Sequence, residues 1–207
     1  MSKPIRVLIA CDTFAPDING AARFAERLAG GLVRNGNEVA IIAPGVDGWS
    51  GTRVEVHDGA MMTVHRLKSH KMPNHKSHRL TSPFGLSRAI KKIILEQKPD
   101  ALHIQSHLMV GRFAMSATRG MSIRRIATNH TMPENLLKYA FLPIFMHPLA
   151  IKILWADAGR VLRKMDALTT PTRRAADLLE NSAHVKGVLA ISCGIDATKF
   201  ANQTRTQ

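Results

Sequence analysis

Three stretches place polar side chains directly after an apolar, strand-like run. They are DTFAPDINGA from Asp12, QSHLMVG from Gln105 and TNHTMPEN from Thr128. Ligands of open α/β sheets bind beyond the carboxyl ends of the strands, so these loops are the candidate site. In the first, Asn19 and Gly20 lead into a helix. Free amides at a positive helix end suit a phosphate, and Gly20, lacking Cβ, lets an anion approach the backbone. Neither G-x-G-x-x-G nor G-x-x-x-x-G-K-[ST] is present, which removes the main support for a nicotinamide or P-loop site. A helix start that binds nothing stays open. In the third loop His130 follows the strand. An imidazole there can hydrogen-bond a sugar hydroxyl or a phosphate, or move a proton near neutral pH. A purely structural histidine is the alternative. Thr131-Met132-Pro133-Glu134 fits a capping box, so Thr131 and Glu134 are expected to organise a helix start.

Other residue patterns carry less. His65, His70, His75 and His78 are spaced by five, five and three residues, but no acidic residue lies between Gly59 and Leu95. Spacing alone makes no coordination sphere, and no metal is expected. The same window holds eight basic residues, Arg66, Lys68, Lys71, Lys76, Arg79, Arg88, Lys91 and Lys92. It suits either an anion-facing patch or a solvated surface. The segment Tyr139–Trp155 is apolar with two internal prolines and Lys152. Its composition suits a membrane interface or packing against a neighbour.

These loops need a scaffold. The chain has 207 residues, a net charge of +14 and a pI near 10.6. With 45% hydrophobic residues it can bury a substantial core. The excess of base points to nucleic acid, anionic lipid or phosphorylated small molecules. Cys11 and Cys193 show neither metal spacing nor a disulfide framework, which fits a reducing cytoplasm. The run Ile5–Ala10, apolar but for Arg6, is six residues long and reads as a first strand, not a signal peptide. No apolar run approaches the roughly 18 residues of a transmembrane helix.

The periodicity alternates between strand and helix throughout. IRVLIACD reads as a buried strand and Ala21–Val33 as a helix stopped by Asn35-Gly36-Asn37. EVAIIAPG is the next strand. RVEVHDG and MMTVHRLK form a hairpin at Asp58-Gly59. Ser69–Pro83 reads as a basic surface loop. Helix, strand and helix follow through FGLSRAIKKIILEQ, ALHI and MVGRFAMSATRG, and then the strand IRRIA. The helix at HPLAIKILW has Pro148 in its first turn, DALTTP is a strand, Thr172 caps a further helix, and KGVLAIS is the last strand. About seven strands result. The class is α/β, a single Rossmann-like, doubly wound and mainly parallel sheet with helices on both faces.

Several of these blocks are familiar in combination. RVLIACDTFAPDINGAARFAERLAGGLVRNGNEVAIIAPG resembles the opening of the retaining glycosyltransferases of family 4, whose fold is GT-B. PDALHIQSHLMVGRFA, ATNHTMPENL, MDALTTPTRRAADLL and ISCGIDATKF resemble later blocks in the same order. The resemblance implies an N-terminal, acceptor-side domain over residues 1–195. Residues 196–207 would begin the inter-domain linker. The donor domain, with its characteristic pair of glutamates, is absent from this sequence. It further implies transfer of a hexose from a nucleotide sugar such as UDP-glucose or GDP-mannose, without cofactor or metal. No side-chain nucleophile is expected; the departing phosphate helps deprotonate the acceptor.

By the same resemblance His130 faces the transferred sugar as the catalytic residue. Asn19 and Gly20 lie near the donor phosphates, although many relatives have two glycines where this chain has Asn19-Gly20-Ala21. Asp17, Ser106, His107, Asn129, Glu134 and Asn135 bind acceptor or sugar. The basic window and apolar segment favour a membrane-lipid acceptor of diacylglycerol or phosphatidylinositol type. An anionic membrane surface is then a partner, at the cytoplasmic inner face of the cell membrane. The chain alone is expected to be inactive, with the missing domain a partner in trans. The alternative is a non-enzymatic basic module binding anionic membrane or nucleic acid. No recognition helix, zinc finger or aromatic RNA-binding motif supports nucleic acid.

Overall fold

The computed structural model of the chain describes residues 3–71, 79–137 and 142–194. The apolar, β-branched runs become the strands of one eight-stranded sheet. In chain order these are β1 (Arg6–Ala10), β2 (Glu38–Pro44), β3 (Gly51–His57), β4 (Ala60–Leu67), then β7 (Ala101–Ile104), β8 (Arg124–Thr128), β9 (Ala167–Thr170) and β10 (Leu189–Ala190). Between them β5 (Ser69–Lys71) and β6 (Arg79–Thr81) form a separate antiparallel ribbon. The order across the main sheet is β10-β9-β8-β7-β1-β2-β4-β3. All pairs are parallel except β3 with β4.

Among the described residues ten strands stand where the sequence pattern suggests about seven. The ribbon accounts for part of the difference, because Ser69–Pro83 was read as loop. Its strands are three residues each and mostly polar, so no alternation announces them. His75, His78 and Lys76 lie outside the described residues, as do residues 195–207. The Asp58-Gly59 hairpin is present, with φ values of 48° and 74° at the turn. Both central residues at positive φ match the twist of the flanking strands.

The helices are α1 (Gly20–Arg34), α2 (Leu86–Gln97), α3 (Met109–Ala117), α4 (Pro133–Leu137), α5 (His147–Leu162) and α6 (Arg173–Ala183). Asn19 caps α1, its Oδ1 accepting from Ala22 N at 2.9 Å. Thr172 caps α6 through Ala175 N at 3.2 Å. Two apolar clusters sandwich the sheet. Ala25 and Ala29 of α1 pack with Ile9, Ile41 and Val64 on one face. Ile90, Ile94, Val110, Ala158 and Leu179 pack with Leu8, Leu102 and Ile104 on the other. Glycines let some elements approach closely. A Cβ at Gly111 would strike the Ser106 carbonyl, and one at Gly159 the Ala183 carbonyl.

β1 lies between β2 and β7, so the chain winds outward to one side and then returns to the other. The carboxyl ends of β1 and β7 therefore flank the point where strand order reverses, where such sheets open a crevice.

Candidate functional site

The loop after β1 is anchored by its own polar side chains. Asn19 Oδ1 caps α1, and its Nδ2 donates to Thr13 Oγ1 at 2.7 Å. Asn19 thus shapes the loop instead of presenting a free amide. Gly20 opens the helix at the surface, and a Cβ there would meet nothing within 4 Å. Asp17 is buried and pairs with Arg79 at 3.2 Å. Behind the loop, Arg66 donates to the Ala15 carbonyl at 2.7 Å and to Glu55 at 2.6 and 3.1 Å. Burial alone would raise the Glu55 pKa, but hydrogen bonds from Arg66, His57 and Arg53 pull it down to about 2. Two members of the basic window, Arg66 and Arg79, are therefore committed inside the fold and are not part of an anion-facing surface.

One residue that the sequence reading passed over organises the neighbouring loop. Asp12, directly after β1, accepts from Ser106 Oγ at 2.5 Å and from Val110 N at 2.8 Å, with Gly111 N at 3.4 Å. It serves as the acceptor at the start of α3, whose own N-cap residue Leu108 makes no side-chain bond. Burial pushes its pKa up, opposed by those three hydrogen bonds. The Ser106 hydroxyl, expected to line the acceptor side, is spent on this tie. The signal for Asp12 was its place as the first polar residue after a buried strand.

The third loop meets the second at a buried polar cluster. His130 Nε2 lies 3.3 Å from Gln105 Oε1, and its ring packs 4.9 Å from the ring of Phe24 on α1. Below it His103 bonds Thr128 Oγ1 at 2.8 Å, which in turn meets Thr169 Oγ1 at 2.7 Å, a polar ladder across three strands. Burial drives the pKa of His130 down to about 4. His103 falls to about 4 for the same reason, helped by His130. His107 is also shifted down by burial, although Asn129 beside it acts the other way. All three imidazoles are neutral at pH 7.

Three of these side chains are only 1–3% exposed, and among the described residues Gln105 Nε2, His107 Nδ1 and Asn129 Oδ1 make no hydrogen bond of good geometry, although Asn129 stands close enough to His107 to raise its pKa. Buried polar atoms are normally satisfied by protein or by ordered water, and groups as enclosed as these fit a buried water. Gln105 was not singled out from the sequence; it too is the first polar residue after a strand.

Glu134 points elsewhere. Its Oε1 accepts from Trp155 Nε1 at 3.0 Å, tying α4 to α5. Among the described residues it makes no bond back to Thr131, whose carbonyl instead accepts from Asn129 at 3.0 Å. The expected capping box is therefore replaced by a tertiary contact. The Asn135 side chain lies outside those described. Among the described residues no group of three or more His, Cys, Asp or Glu side chains is placed to hold a metal. A cavity of about 340 Å³ lies at the opposite, amino edge of the sheet against Val7, Val39 and Met62. It is remote from these polar loops.

Residues 18–199 match the sequence profile of Glycosyltransferase Family 4. The chain is 27% identical over 206 residues to a GDP-mannose-dependent alpha-mannosyltransferase of Mycolicibacterium smegmatis, covering 98% of this chain and 51% of that protein. It is 24% identical over 196 residues to the alpha-monoglucosyldiacylglycerol synthase of Streptococcus pneumoniae, covering 95% of this chain and 42% of that one. Among solved structures, sucrose-phosphate synthase from Thermosynechococcus elongatus superposes with a TM-score of 0.69 at 14% identity, covering 95% of this chain and 49% of that one. The chain spans about half the length of the curated relatives it matches.

Proposed function

The chain belongs to glycosyltransferase family 4, and from that premise we propose that it forms the acceptor-side wall of a hexosyltransferase. The reaction breaks the bond between the anomeric carbon and the phosphate of a nucleotide sugar. It forms the bond to the acceptor oxygen on the same face, and the acceptor proton leaves on the phosphate oxygen. The observation that carries the reading is His130, half-buried just after β8 at the carboxyl edge of the sheet and packed 4.9 Å from the Phe24 ring near the start of α1. A neutral His130 orients a hydroxyl of a sugar or acceptor instead of pairing with a phosphate. The start of α1 at Gly20 offers the donor phosphates a positive helix end across the crevice. GDP-mannose and UDP-glucose are the donors to test.

The acceptor we favour is a membrane lipid of diacylglycerol or phosphatidylinositol type, met at the cytoplasmic face of the membrane. The support is the basic composition, the apolar Leu142–Trp155 segment, and a relative that is a glucosyldiacylglycerol synthase. No helix among the described residues is long and apolar enough to cross a membrane. On this reading the 207 residues by themselves bind acceptor but turn over negligibly, because donor contacts come from a second domain.

The test has two arms. Soluble headgroup probes, glycerol and inositol phosphate, are titrated against the chain while the imidazole resonances of His107 and His130 are followed by NMR. Radiolabelled GDP-mannose or UDP-glucose is then supplied with lipid vesicles, with and without a donor domain from a relative. Saturable shifts lost in Asn129→Ala, and transfer only with the donor domain, are expected. No shift with any probe together with no transfer in the reconstituted mixture would overturn the reading.

A further inference from the structure

The 3-10 turn Ile144–Met146 and helix α5 expose an unusual run of large apolar side chains. Ile144 and Phe145 are each 83% exposed, and Leu142, Met146, Leu149 and Ile153 are also exposed. Single exposed apolar residues are ordinary, but six within twelve residues of chain form a patch of the kind that marks an interaction surface.

The rest of the exposed stripe identifies what it meets. Beyond Phe145, the solvent-facing positions of α5 include Leu149, Lys152, Ile153, Ala156 and Arg160, recurring at helical spacing. Arg163 and Lys164 follow, also exposed. No acidic residue occurs from Leu142 to Ala156, and the first, Asp157, is turned toward Arg112 in an ion pair. The stripe is therefore apolar at one end and purely cationic along its shoulder. A second copy of a chain with net charge +14 would bring like charge against it. An anionic bilayer satisfies both ends, acyl chains taking the apolar tip and headgroups the cations.

The topology sets the direction in which this stripe points. α5 connects the end of β8 to the start of β9, and these strands are parallel. Its amino end therefore lies at the carboxyl edge of the sheet, on the same side as Gln105, Asn129 and His130. We propose that the Leu142–Ile153 segment inserts shallowly into an anionic bilayer, with Lys152 and Arg160 at headgroup depth. The candidate site is thereby held over the membrane surface. The value of this contact rests on the lipid-acceptor reading above, but the contact itself is independent of catalysis.

Flotation of the 207-residue chain with phosphatidylcholine vesicles, with and without phosphatidylglycerol, tests it. Binding is expected with phosphatidylglycerol and should weaken as salt rises. The double variant Ile144→Asp, Phe145→Asp should lose more than about tenfold in partitioning, because two inserted side chains are removed. Both positions are highly exposed, and an unchanged far-UV circular dichroism melt confirms the fold. Absence of wild-type binding at low salt overturns the proposal. So does unchanged binding of the double variant, which would assign attachment to other cations. A Phe145-dependent dimer without vesicle binding also overturns it and assigns the face to a second copy. No nucleotide sugar is present in this assay. Vesicle binding with neither probe shifts nor reconstituted transfer would therefore sink the catalytic reading alone, and transfer without vesicle binding would sink only the membrane contact.

Discussion

At the scale of single residues, the site is defined by groups that burial keeps uncharged. His130 and His103 both titrate near pH 4 in the folded chain, against about 6.5 when unfolded. Between those values the unfolded chain binds more protons, so stability rises with pH across that window and the gain is complete above about 6.5. Asp12, shifted up by burial, works in the opposite sense, and Glu55 contributes only at still lower pH, down to about 2. The direct check is an NMR pH titration. The imidazole signals of His103 and His130 should stay at their neutral positions to below about pH 5, as the depressed values require. Midpoints near 6.5 would show that the cluster is hydrated and open. That His130 lies at a strand end was legible from its place after an apolar run. Its neutrality was not, because it depends on the ring of Phe24, 106 residues earlier in number.

At the scale of elements, the loops are held by ties between segments distant in sequence. Asp12 joins the end of β1 to the start of α3, and Arg66 joins the hairpin β3–β4 to the loop that ends at Gly20. Replacing Asp12 with Ala strands two helix amides and the Ser106 hydroxyl. A loss of about 1–3 kcal/mol in urea denaturation is expected. Asp12→Asn, which keeps one acceptor oxygen, should recover part of it. If Asp12→Ala unfolds at the wild-type midpoint, the tie contributes nothing. The helix starts at Asn19 and Thr172 were legible because cap and first turn are local. The Thr131–Glu134 start followed the same local rule and was overridden, since Trp155 offers Glu134 a partner that sequence spacing cannot reveal.

At the scale of the whole molecule, two apolar clusters share one sheet. β1 and β2 contribute alternate residues to both, Leu8 and Ile42 to one and Ile9 and Ile41 to the other. Neither face can lose its packing without disturbing the same central strands. Trp49 lies beside the hairpin and Trp155 on the buried face of α5, so the two report opposite ends of the sheet order. Their fluorescence and the far-UV circular dichroism should unfold in urea with one coincident transition. Separate midpoints would mean that the β8–β10 side folds as its own unit.

The sequence alone determined the α/β class, the family resemblance and the three loops worth inspecting. Each of these rests on local information, on strand and helix periods and on short blocks in fixed order. Only the tertiary structure decided which side chains in those loops are free to meet a ligand. It spent Asn19 and Ser106 on shaping the loops, paired Asp17 with Arg79, buried Gln105, His107 and Asn129, and left His130 partly exposed. The reason is physical. Whether a polar group is occupied depends on what burial places beside it, and those neighbours come from segments that share no local pattern.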